Sequence, residues 1–179
     1  MYAAVTAHFQ AALMVPTEVL AEQHFAKLSQ LFEPVHVSVA LLTGATSAAD
    51  RKVILERLRS GDLDIVIGTH ALIQKGVDFN ALGFAIIDEQ HRFGVKQREV
   101  LRAKGLKPDV LSMTATPIPR TLAITAYGEM DVSTIDEMPA GRLPVRTLWL
   151  HKQQQGRAVR MVEEAVAAGG QAFVITPLI

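Results

Sequence analysis

The sequence predicts an α/β fold, a parallel sheet flanked by helices, and three observations carry that expectation. Short apolar runs recur along the chain as far as Met113, and segments with helical spacing stand between them. The run Phe84 to Ile87 shows no polar alternation, as expected of a strand covered on both faces.

Met1 to Gln10 reads as weakly helical, and Ala11 to Val15 as a strand closed by Pro16. From Thr17 to Phe32, Leu20, Phe25, Leu28 and Leu31 lie near helical spacing. His36 to Thr43 is a second strand, ended at Gly44. Ser47 with Asp50 three residues on opens a helix in the manner of a capping box; Ile54, Leu55 and Leu58 face a core, and Gly61 marks the stop. Ile65 to Ile67, Phe84 to Ile87 and Val110 to Met113 complete five strands, with helical segments expected between each pair. Another apolar run, Val132 to Ile135, follows.

Met138 to Pro144 holds two prolines and a glycine and reads as a linker. Beyond it, Val145 to Leu150, a helix over about Gln153 to Ala168, a Gly169-Gly170 stop and the strand Ala172 to Thr176 suggest the opening of a second α/β unit. The expected organisation is a first domain over 1-137, a linker over 138-147 and the start of a second domain over 148-179. There are no internal repeats.

A chain of 179 residues with 49% hydrophobic and 20% charged residues is of globular rather than disordered composition. The absence of cysteine excludes a disulfide scaffold and a thiolate zinc site, and suits a reducing cytoplasm. No apolar run approaches the ~20 residues of a membrane-spanning helix. With 18 basic and 18 acidic residues the net charge is zero, so any nucleic-acid contact must be local. The basic cluster Arg92, Lys96, Arg98, Arg102, Lys104 and Lys107 reads first as a solvated helix face.

Asp88 and Glu89 end the Phe84 to Ile87 strand, where open α/β sheets bind ligands. Adjacent carboxylates repel unless a cation or a raised pKa relieves them, and Mg²⁺ carried in by a nucleotide would do so. Alternatively the pair caps the next helix by accepting its free N–H groups. The loops Pro16-Thr17-Glu18, Gly68-Thr69-His70 and Thr114-Ala115-Thr116 would share the same rim, and their hydroxyls serve equally as helix caps or as ligand contacts.

Asp88-Glu89-Gln90-His91, followed by Arg92-Phe93-Gly94, resembles motif II of superfamily 2 helicases and, within them, of the RecG-type branched-DNA helicases. Pro16-Thr17-Glu18 with Leu20-Ala21-Glu22-Gln23-His24 is similar to motif Ia. Gly68 to Gln74 is similar to the segment before motif II, and Ser112 to Thr121 to motif III. The resemblance runs nearly end to end. It implies a RecA-like motor domain, ATP and Mg²⁺ as cofactors, and forked or recombination-intermediate DNA as partner. Asp88 would hold Mg²⁺–ATP and Glu89 the attacking water; Gln90 and His91 would sense the nucleotide. Thr114, Ala115 and Thr116 would couple that state to the DNA grip. Pro16, Thr17, Glu18, Gly68, Thr69 and His70 would contact the tracking strand. His24, spaced helically from Leu20 and Leu28, reads as structural.

The family's phosphate-binding loop ends in Gly-Lys, and the sequence contains no Gly-Lys dipeptide. That loop is expected before Met1, and the arginine motif after the last residue, so the resemblance implies an internal piece of a motor that is inactive alone. The parent is expected to act as a monomer in a bacterial cytoplasm, and the isolated piece to self-associate. Two other identities remain open: the related transcription-repair coupling translocase, and a non-catalytic remnant. Gln90 and Thr125-Ala126-Tyr127-Gly128 favour the RecG type.

Overall fold

The structure, a computed structural model, describes residues 1–116, 131–139, 141, 142 and 144–176. Pro117 to Thr121 of the motif III string, Thr125 to Gly128, and Ala140 and Leu143 of the linker lie outside the described residues. The chain divides into two compact units, Met1–Met130 and Asp131–Ile179.

The first unit is built on five parallel strands: β1 (Gln10–Met14), β2 (Val39–Leu42), β3 (Ile65–Gly68), β4 (Leu82–Ile87) and β5 (Asp109–Ser112), in the order β2-β3-β1-β4-β5. Strand β1 is central and buried at every position, which explains its apolar run from Ala11 to Met14 after the polar Gln10. Alternate residues of β1 feed two cores. Ala12 and Met14 join Leu42, Leu58, Val66, Leu72, Ala85, Ile87 and Leu101 on one face. Ala11, Leu13 and Val15 join Ala21, Phe32, Ile65 and Ile67 on the other. Each fully buried Leu or Ile contributes roughly 1.5–3 kcal/mol relative to exposure.

Helices α1 (Tyr2–Thr6), α2 (Glu18–Phe32), α3 (Ala48–Ser60) and α4 (Val95–Arg102) cover the sheet. Their ends follow the expected chemistry: Thr17 Oγ1 accepts from Leu20 N–H, Ser47 Oγ accepts from Asp50 N–H, and Gly61 closes α3 at φ 88°. The buried stripe of α2 runs through Ala21, Phe25, Leu28 and Phe32, whereas Leu31 is 64% exposed, one step off that face. Gln10 belongs to β1 and not to α1. Its buried amide donates to the Leu58 and Leu63 carbonyls at 2.9 and 2.8 Å and accepts from Ala81 N–H at 3.0 Å. Between β3 and β4 the expected helix is only a 3-10 turn, His70–Ile73.

The basic cluster departs from a wholly solvated face at Lys104. Its ammonium donates to the Gln74 and Val77 carbonyls at 3.2 and 2.7 Å. Burial lowers its pKa from the ordinary lysine value, and the Asp78 carboxylate opposes that shift.

The second unit contains helix α5 (Gln155–Ala167), preceded by a 3-10 turn, Lys152–Gln154. Gly169 follows at φ 83°, as the double-glycine stop implies. The strands expected at Val145 to Leu150 and Ala172 to Thr176 do not form, and the apolar run Val132 to Ile135 is likewise irregular. A strand exists only through hydrogen bonds to a neighbour, and no neighbour pairs with these stretches among the described residues.

Candidate nucleotide and nucleic-acid rim

The register of the sheet fixes the site. Met14 of β1 lies opposite Gly68 of β3 and Ile87 of β4, and Ile87 lies opposite Ser112 of β5. All four strands therefore release their loops at one level. Val15 N–H donates to Gly68 O at 2.9 Å, Asp88 N–H to Met14 O at 2.9 Å, and Met113 N–H to Ile87 O at 2.8 Å, extending the ladder to that rim. Gly68 is there because of close approach. A Cβ at that position would stand 2.0 Å from the Leu42 carbonyl oxygen.

Strand β4 ends in a tight turn that sets out the two acids. Glu89 adopts the left-handed conformation at φ 50° and ψ 50°, which an L-residue holds at a cost of about 1 kcal/mol. A 3-10 turn over Gln90–Arg92 follows, and buried Gln90 donates its backbone N–H to Met113 O at 3.0 Å. The acid turn is thus tied directly to the exit of β5. Capping does not account for the acids: among the described residues Asp88 Oδ1 accepts only its neighbour's Glu89 N–H at 2.9 Å, and the Glu89 side chain makes no cap hydrogen bond.

An imidazole stands beside each carboxylate. His24 Nε2 of α2 lies 3.2 Å from Asp88 Oδ2, and His91 Nδ1 lies 3.4 Å from Glu89 Oε2. The second contact has ion-pair distance without hydrogen-bond geometry, so Glu89 Oε2 is buried with no hydrogen-bond partner among the described residues. His24 is the residue that sequence reasoning missed. Its helical spacing suggested packing, yet its ring is directed at an acid 64 residues away in sequence. Only its place in a string shared with Pro16-Thr17-Glu18 could have marked it.

The other candidate residues fall on the same rim in varied settings. Pro16 is half-buried beyond β1, and Thr17 caps α2. Glu18 Oε1 accepts from Ala45 N–H at 3.0 Å, which links α2 to the loop after β2. Thr69 is 2% exposed with its hydroxyl unpartnered, while His70 is exposed. Thr114 and Thr116 pair through their hydroxyls at 2.9 Å, with exposed Ala115 between them. Among the described residues no group of three or more His, Asp or Glu converges as a metal site. Two acids with an orphaned buried oxygen suit a hard cation that draws its remaining ligands from phosphate and water. A cavity of about 930 Å³ lies elsewhere, at the amino ends of β4 and β5, lined by Phe9, Phe79, Leu82 and Leu106 among others. No helix among the described residues is long and apolar enough to cross a membrane.

The DEAD/DEAH box helicase family matches residues 1–124. Over all 179 residues the chain is 59% identical to the ATP-dependent DNA helicases RecG of Streptococcus pneumoniae and of Bacillus subtilis, and spans 26% of the length of each. Among solved structures it is similar to a RecG bound to a three-way DNA junction. The TM-score is 0.79 at 47% identity, over 96% of this chain and 23% of that one. A DUF1998 helicase, MrfA, bound to DNA shares the fold at TM-score 0.56 and 19% identity, over 71% of this chain and 18% of that one.

Proposed function

Because the chain belongs to the DEAD/DEAH box helicase family, we propose that it forms part of an ATP-dependent DNA helicase of RecG type that remodels forked or branched DNA. The observation that carries this reading is the Asp88 to His91 turn, at one level with three other candidate loops on the rim of a RecA-like parallel sheet. Residues 1-137 would be the first motor domain, 138-147 a linker and 148-179 the beginning of the second motor domain. The division after Met130 supports a boundary in this part of the chain.

Asp88 would hold Mg²⁺ of a bound Mg²⁺–ATP, and the cation would polarise the phosphate. Glu89 would orient water through its unpartnered Oε2, with His91 beside it. Gln90, bonded through its backbone to Met113, would report the state of the acid turn to Thr114, Ala115 and Thr116. Pro16, Thr17, Glu18, Gly68, Thr69 and His70 would face the DNA backbone. The parent would work as a monomer in the cytoplasm; the absence of cysteine favours a reducing compartment.

In the full-length protein carrying this chain, Asp88→Asn should weaken Mg²⁺–ATP binding and stop turnover. Glu89→Gln should keep nucleotide affinity and lower DNA-stimulated hydrolysis about 10²-fold or more, the usual scale of a proton-handling group. Steady-state ATPase and nucleotide-binding assays separate the two; wild-type turnover in Glu89→Gln would refute the assignment of that residue.

A further inference from the structure

We infer that His24 is a positioning residue that transmits nucleic-acid contact at the start of α2 directly to the Asp88 carboxylate. The inference deepens the reading above and rests on it for the roles of Asp88 and of Pro16-Thr17-Glu18. Its own basis is geometric. Asp88 Oδ1 is held by Glu89 N–H within its own turn, so Oδ2 is the oxygen open to influence from elsewhere, and His24 Nε2 lies 3.2 Å from it.

His24 stands on the same helix as the rim loop, two turns after the Thr17 cap. The two ends of α2 are held differently. At its far end Phe32 is 7% exposed within the apolar core and stacks on Tyr2 with ring centroids 6.4 Å apart. At the rim end Thr17 and Glu18 are exposed and the one buried side chain is the methyl of Ala21, so the directional ties are polar: Glu18 to Ala45 N–H, then His24 to Asp88. Polar ties exchange for ligand contacts or water at little net cost, whereas an aromatic seated in a core does not. A ligand pressing on Pro16 to Glu18 would therefore displace the rim end while the Phe32 end stays seated. A displacement of half an ångström takes a 3.2 Å contact beyond hydrogen-bond range. The Asp88 side chain, half-buried beside that contact, changes its constraint accordingly. This route needs no part of the Thr114 to Thr116 loop, which joins the acid turn from the opposite side of β4 through Met113.

Binding reads the coupling directly, because a coupling free energy acts equally on both ligands, and turnover gives a second, kinetic readout. Three full-length proteins are compared: wild type, His24→Leu, which keeps bulk and removes the polar ring, and His24→Gln, which keeps a donor at similar reach. With forked DNA, the ratio of DNA-stimulated to DNA-free ATP turnover should fall at least about 5-fold in His24→Leu, the lower end of site-to-site couplings, and recover in His24→Gln. Forked-DNA affinity, measured by fluorescence anisotropy with and without a non-hydrolysable Mg²⁺–ATP analogue, should change with nucleotide in wild type and His24→Gln and by distinctly less in His24→Leu, where only the Thr114 to Thr116 route remains. A His24→Leu protein with the wild-type ratio and the wild-type nucleotide effect overturns the inference and leaves the functional reading intact. Equal loss in His24→Leu and His24→Gln means the ring only packs, and also overturns it. A wild-type protein whose turnover ignores DNA overturns both.

Discussion

Helices α2 and α5 are similar in length and α5 is the more strongly amphipathic, yet α2 is bedded in a core and α5 is not. Ala21 and Phe32 of α2 are buried against the sheet, while Val159, Val162 and Val166 of α5 are 52%, 36% and 53% exposed and the helix buries no residue. The apolar runs diverge further: β4 has partners on both sides, whereas Phe173, Val174 and Ile175 are 87%, 78% and 92% exposed and unpaired among the described residues. A helix closes its hydrogen bonds within a dozen residues, so it forms wherever the local sequence permits. A strand closes none of its own, so the same apolar run is β-structure in one unit and irregular in the other.

Hydrogen exchange gives the widest separation between the two units. Amides of Phe84 to Ile87 should exchange about 10³-fold or more slowly than those of Phe173 to Ile175, because the first open only with the sheet. Equal protection in a protein shown to be monomeric would mean that the tail packs on the first unit, and would defeat the linker reading of Met138 to Pro144. A pair of identical substitutions sharpens the contrast. Gly68→Ala drives a methyl into the Leu42 carbonyl and should lower unfolding stability by about 1–3 kcal/mol. Gly156→Ala in α5 meets nothing within 4 Å and should leave the denaturation midpoint unchanged, with a small gain in helicity. The smallest effect belongs to truncation. A chain ending at Glu137 should melt within about 2 °C of the full chain, equivalent to less than roughly 1 kcal/mol, and be at least as soluble. Sedimentation should find less self-association once the exposed Phe173 to Ile175 run is gone; a truncated chain that melts much lower or precipitates would reverse the comparison.

What was legible in the sequence was what depends on neighbours in the chain. The Thr17 and Ser47 caps, the Gly61 stop, the runs that become β1 to β5 and the acids at the end of β4 all announce themselves within a few residues. What was not legible depends on distant partners. Gln10 looked like the tail of a helix because the carbonyls of Leu58 and Leu63 that hold its amide arrive only with α3 and β3. Lys104 looked solvated because Gln74 and Val77 lie in another loop. His24 looked like packing because the fold alone brings it to Asp88. Leu31 and Phe32 were confused because a helical stripe read without its sheet is uncertain by one position.

The position of β1 has a consequence for how this sheet is made. It precedes both of its partner strands and, of the five, has the most distant ones: its Gln10 oxygen waits for an N–H at Ala81, 71 residues later. Ala11 to Val15, entirely apolar, has no neighbour until β3 arrives at Ile65 and only one until β4 arrives at Leu82. Pairings of such sequence separation slow folding, and an unpaired apolar strand is the part of a nascent chain most open to wrong partners. A slip of one residue would exchange the two faces of β1 and carry Gln10 away from all three of its bonds. The buried amide at the head of the strand thus acts late, as a check that the centre of the sheet has closed in register.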